Sequence, residues 1–173
     1  MRRPFLFICG VLSGVALDQI TKSLVRGWLP LGGRHPVIEG WFHFTNQHNT
    51  GVAFSLLADY PNCILLFSMA VIVGVAWWYA TTWRTSHPAY LWAQGLILSG
   101  TAGNVIDRVR FGYVRDFLHF CPKLPLIGEW PVFNLADTFL CVGVGIIVVA
   151  QIVTAWVKRR EEQAAAKRPR RKP

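Results

Sequence analysis

Long apolar runs alternate with short polar intervals along this chain, and the alternation predicts its architecture. Four runs, at about 4–25, 61–83, 88–106 and 131–157, each approach the ~20 residues a helix needs to cross the hydrocarbon of a bilayer. Pro4, Pro61, Pro88 and Pro131 open them, where a missing N–H does least harm. Between the first and second runs, Trp41-Phe-His-Phe-Thr45 has the aromatic alternation of a short strand. The predicted fold class is an all-α membrane protein of four transmembrane helices with a small β-containing extracytoplasmic loop region. Residues 1–157 form one membrane domain, and 158–173 form a basic tail expected to be disordered.

Composition agrees with this class. The chain is 53% hydrophobic over 173 residues, with eight Trp and eleven Phe, too apolar for an ordinary soluble domain of this size. A net charge of +9 raises nucleic acid as a partner, but eight of the eighteen Lys and Arg residues fall between Lys158 and Lys172. A basic tail directly after an apolar run reads as a cytoplasmic anchor on anionic lipid, and no nucleic acid is expected. Arg2, Arg3, Arg84 and that tail all fall on one side of a four-span chain, so both termini are predicted to be cytoplasmic. Arg108, Arg110, Arg115 and Lys123 fall on the other side, among acids, and are expected to serve a polar site or headgroups. The first run reads as a retained anchor, because three more runs follow it and no small-x-small cleavage pattern is seen.

The polar residues at the edges of these runs carry the chemistry. A carboxylate beside hydrocarbon needs a partner or a task. Asn104-Val-Ile-Asp107 and Asn134-Leu-Ala-Asp137 each place an amide three residues before an acid, and Asp18 stands four before Lys22. In alternating helices these positions converge on one membrane face. Asp18 and Lys22 share a helix face and are expected to pair. Asn104, Asp107 and Arg108 can face one neighbour, and Asp107 is read mainly as a structural partner of the other two. Asp137, six residues past Pro131, is expected about 9 Å into the last helix and inside the bundle. Gly100 and Gly103 would let another helix approach the third closely.

Two neighbouring carboxylates can share a proton, so one can activate water while the other protonates a carbonyl. The five histidines are scattered, no H-E-x-x-H, G-x-S-x-G or Walker-type loop occurs, and no metal or cofactor is expected. Cys9, Cys63, Cys121 and Cys141 lack C-x-x-C spacing and read as small buried hydrophobes. On residues alone, carboxylate-dependent hydrolysis and a small proton-coupled membrane transporter using the same carboxylates fit equally.

Five ordered motifs separate these readings. Asp18-Gln-Ile-Thr-Lys22, Asn49-Thr-Gly-Val-Ala-Phe54, Gly103-Asn-Val-Ile-Asp-Arg108, Val114-Arg-Asp-Phe117 and Phe133-Asn-Leu-Ala-Asp137 resemble those of the bacterial lipoprotein signal peptidases, or signal peptidase II. The resemblance spans residues 18 to 137. It implies a monomeric aspartic endopeptidase of the inner membrane that frees prolipoproteins of their signal peptides, cutting before a diacylglyceryl-modified cysteine. It implies a catalytic dyad of Asp116 and Asp137. Asp18, Lys22, Asn49, Gly51, Asn104, Asp107, Arg108, Asn134 and Ala136 become supporting or substrate-binding residues. Its partners would be lipid-modified prolipoproteins and membrane lipids. Two departures stand out. Val52 replaces a small residue, and Arg115, where Val is common, is expected to face headgroups because neighbours in a strand point opposite ways.

Overall fold

The computed structural model describes residues 2–51, 59–121 and 130–166. Val52 to Phe54 of the second motif, Pro122, Lys123, Pro125 and Glu129 of the second outer loop, and the tail beyond Ala166 lie outside the described residues. The described elements run α1 (Arg2–Trp28), β1 (Arg34–Ile38), β2 (Phe42–Asn49), α2 (Pro61–Thr82), α3 (Pro88–Phe111), β3 (Val114–Phe120) and α4 (Leu135–Ala166). The protein is mostly helical, with one small antiparallel sheet.

Among the described residues, three helices are long and apolar enough to cross a membrane: α1 over 3–28, α2 over 61–82 and α4 over 135–164. Their apolar side chains point outward; Leu6, Phe67, Val73 and Ile152 are all more than 60% exposed. The interior is correspondingly polar, and the largest fully buried side chains are Lys22, Gln94, Asn134, Asp18 and Asp107. Such a surface suits hydrocarbon as solvent. The third predicted span, 88–106, is the exception. Helix α3 is less apolar, burying Gln94, Ser99, Thr101 and Asn104, and it packs against α1, α2 and α4 as the centre of the bundle. Small residues permit this approach: a Cβ at Gly100 would meet the Ala136 carbonyl, and one at Gly103 would meet the Asp18 carboxylate.

Helix ends follow local chemistry more than the hydropathy edges. Pro61 and Pro88 do open α2 and α3, and Gly112 closes α3 in the left-handed conformation at φ 78°. The last helix differs from expectation at both ends. It starts at Leu135, not Pro131, because Phe133 is extended and bridged to Leu118 of β3. It then continues past Val157 to Ala166, where Arg, Glu, Gln and Ala are strong helix formers.

The sheet has the order β1-β2-β3. Strand β2 carries the predicted aromatic run and extends four residues beyond it, to Asn49. A register shift between Phe44 and Gln47 sets Gln47 opposite Asp116 and Asn49 opposite Val114. That shift brings the second motif against β3. Of the cysteines, only Cys121 is buried; Cys9 is half-buried, while Cys63 and Cys141 are exposed on helices whose surface is apolar.

Candidate active site

The site lies where the ends of α1 and α3, the start of α4 and strand β3 meet. Asn134 organises it. As the residue before α4, its side-chain oxygen accepts from the Asp137 N–H at 2.9 Å, and the Asp137 carboxylate accepts from the Asn134 N–H at 3.1 Å. This reciprocal cap explains the Asn-x-x-Asp spacing, and it places Asp137 in the first turn, where the helix dipole favours an acid. Asp137 is therefore half-buried at the helix start, not two turns inside as its distance from Pro131 implied. The Asn134 amide Nδ2 donates to Asp116 Oδ1 at 2.7 Å and to Asn104 Oδ1 at 3.1 Å. Asn104 Nδ2 in turn donates to Asp137 Oδ1 at 2.7 Å.

Asp116 is reached from the sheet as well. Asn49 lies diagonally across β2 from it, on the same face, and donates to Asp116 Oδ2 at 2.9 Å. Burial, and then the charge of Asp137, push the Asp116 carboxyl up to about 7, against the pull of these amides. Among the described residues neither Asp116 nor Asp137 has a cation within 4 Å. Asp116 lines an open cleft of about 390 Å³ with Asn49, His48, His119 and Trp130, and Asp137 does not line it.

The other acids belong to a second network, joined to the first through Asn104. Lys22 bridges Asp18 at 2.9 Å and Asp107 at 3.3 Å, and its Nζ also donates to Asn104 Oδ1 at 2.9 Å. Asp18 accepts from the Ala136 N–H at 3.0 Å, which fastens α1 to the start of α4. Asp107 takes the Arg115 guanidinium at 2.7 and 3.2 Å, the Arg115 N–H at 3.0 Å, and Gln19 at 2.9 Å. Two expectations are corrected here. Arg115 does point opposite to Asp116, yet that side is the bundle interior rather than the headgroups, and the residue is only 4% exposed. Asp107 pairs with Lys22 and Arg115, not with Arg108. As the next residue in the helix, Arg108 points about 100° away from Asp107, and its Nη2 donates to the Gly51 carbonyl at 2.9 Å.

All eleven predicted site residues thus lie in or beside this polar region, divided into two sets. Sequence reasoning missed Gln19, which bonds Asp18, Asp107, the Gly103 carbonyl and Arg115. Its position beside Asp18 in a polar-edged helix was the available signal. It also missed Arg115 as an interior cation, which the paired burial of Asp107 would have required.

The family described as signal peptidase (SPase) II matches residues 11–153. The lipoprotein signal peptidase of Syntrophotalea carbinolica is 41% identical over 143 residues, covering 79% of this chain and 84% of its own length. That of Bacillus subtilis is 34% identical over 148 residues, covering 86% and 94%. Two bacterial membrane enzymes solved by the in meso method share the fold. The one at 2.3 Å has TM-score 0.75 at 23% identity, covering 97% of this chain and 94% of that one. The one at 1.9 Å has TM-score 0.73 at 25% identity, covering 84% and 92%. The chain belongs to the signal peptidase II family.

Proposed function

We propose that this protein is an aspartic endopeptidase that removes signal peptides from prolipoproteins, cleaving before a diacylglyceryl-modified cysteine. The observation that carries the reading is Asn134, which donates to Asp116 through its side chain and to Asp137 through its backbone. One residue thereby ties two carboxylates that have no cation within 4 Å among the described residues, in a chain of this family.

The chemistry follows from a single proton held by the pair. Asp116, raised to about 7 by burial and by Asp137, titrates near neutral pH, so the pair can hold one proton there. Asp137 takes a proton from water, whose oxygen attacks the scissile carbonyl carbon, while Asp116 protonates the carbonyl oxygen. The tetrahedral diol then collapses: the C–N bond breaks, Asp137 delivers its proton to the leaving amine, and Asp116 recovers its own from the forming carboxyl. Asn49, Asn104 and Asn134 hold the carboxyl oxygens. Arg108 offers donors to the substrate backbone, because its buried Nε has no partner among the described residues.

The membrane setting is part of the proposal. Helix α3 serves as the fourth span, both termini lie in the cytoplasm, and the cleft opens near the extracytoplasmic face of the bacterial inner membrane. The basic run after Val157 is at the end of α4 opposite Asp137, in keeping with positive charge inside. The substrate's acyl chains stay in the bilayer while its scissile bond reaches the polar end of the bundle. The site is assembled within one chain, so a monomer suffices.

The test is cleavage of a purified precursor in lipid or detergent. The diacylglyceryl-modified form should be cut to expose the lipidated cysteine as the new N-terminus, and the unmodified form should remain intact. Equal cutting of both forms, or a cut elsewhere, would refute the assignment.

A further inference from the structure

His43, His119 and Cys121 gather on the sheet, outside the two carboxylate networks. Their ligand atoms all lie within 4.8 Å of one another. The arrangement follows from strand geometry. His119 and Cys121 are two residues apart, so an extended backbone points both to one face. His43 is the register partner of His119 across the β2–β3 ladder, and directly opposed side chains on one face are neighbours. The Cys121 backbone N–H donates to the Trp41 carbonyl at 2.8 Å, holding the segment after β3 against the start of β2. His119 and Cys121 are buried, and His43 is half-buried.

We propose that these three side chains form a binding site for a thiophilic divalent cation of the Zn²⁺ class. The Cys121 Sγ to His43 Nδ1 separation is 3.6 Å. A tetrahedral ion with Zn–N of about 2.0–2.1 Å and Zn–S of about 2.3 Å spaces those two ligands by roughly the same distance. Imidazole and thiolate select Zn²⁺ over Mg²⁺ or Ca²⁺, which prefer oxygen. Three protein ligands leave a fourth position open, and His119 also lines the cleft that holds Asp116. Binding releases the Cys121 thiol proton to solvent and ties the end of β3 to β2 beside that cleft. The site does not depend on the peptidase reading, since no ligand belongs to the dyad or its amides.

The experiment uses the full chain in detergent micelles, stripped with a chelator, then titrated with Zn²⁺ and separately with Co²⁺. Wild-type protein should take up one Zn²⁺ per chain, and its Co²⁺ form should show a sulfur-to-metal charge-transfer band. Cys121→Ser should abolish that band. His43→Gln, at a half-buried position, should weaken Zn²⁺ uptake at least about tenfold. His35→Gln, on β1, should change neither. Circular dichroism of each variant keeps loss of the metal distinct from loss of the fold. No zinc bound by wild type, or equal uptake by correctly folded Cys121→Ser and His43→Gln, would overturn the proposal.

Discussion

Asp18 and Asp107 sit with two cations, whereas Asp116 and Asp137 sit with three amides. Both pairs occupy the same polar end of the bundle, and each includes the acid of one Asn-x-x-Asp motif. In the first pair two carboxylates meet two cations, Lys22 and Arg115, so opposite formal charges balance in number. In the second pair Asn49, Asn104 and Asn134 donate to the carboxylates without neutralising them. The difference separates structure from chemistry. A buried carboxylate with its own cation has no proton to exchange at neutral pH, while one surrounded by neutral donors and a second carboxylate must share one. Arg115 and Asp116 are adjacent in sequence yet belong to opposite sides of this division.

The largest effect expected from this division is on catalysis. Replacing Asp116 or Asp137 by Asn removes the proton carrier while keeping its shape, and should lower precursor cleavage by about 10³-fold or more. The melting temperature in detergent should change little, because no ion pair is lost. If either variant cut precursor at the wild-type rate, the assignment of the second pair to catalysis would be broken.

The next effect falls on stability. Arg115→Met leaves Asp107 buried with only Lys22 for a cation, a loss of about 3–5 kcal/mol for breaking a buried pair. Thermal unfolding should report it, while the folded fraction should retain most of its turnover per molecule. A large fall in turnover with unchanged melting would place Arg115 on the catalytic side and erase the contrast with its neighbour.

How much of this was legible in the sequence depends on the kind of interaction. The strand at Trp41–Thr45 and the starts of α2 and α3 could be read from alternation and from Pro61 and Pro88, because those signals act locally. The Asn-x-x-Asp repeats marked residues that the fold brings to one polar end of the bundle, yet spacing alone did not distinguish their surroundings. Asn104 and Asp107 lie in the interior of α3, while Asn134 and Asp137 cap α4, and only the bridge from Phe133 to Leu118 decides where that helix begins. The partner of Asp107 was equally hidden. Arg108 is adjacent in sequence, but a helix turns adjacent residues about 100° apart, and Arg115 reaches Asp107 through a turn and a strand. Length and apolarity enough to cross a membrane were legible for α1, α2 and α4, whereas α3 buries polar residues among its helical neighbours.

The smallest effect is also the sharpest probe of the amide-bound pair. Because burial and Asp137 raise Asp116 to about 7, activity should fall as pH rises through that value and the shared proton leaves. The Asn49 amide pulls in the other direction, since it donates to the charged carboxylate. Asn49→Ala removes that pull, so Asp116 should hold its proton to higher pH and the basic limb of the rate profile should move upward. The accompanying loss of turnover at neutral pH should be modest, about tenfold, in line with one hydrogen bond to a charged group. Arg115→Met should leave the limb where it is, because that guanidinium lies with Asp107 on the opposite face of β3. A limb that moved with Arg115→Met and stayed fixed with Asn49→Ala would mean that the cationic network, and not the amides, sets the proton on Asp116.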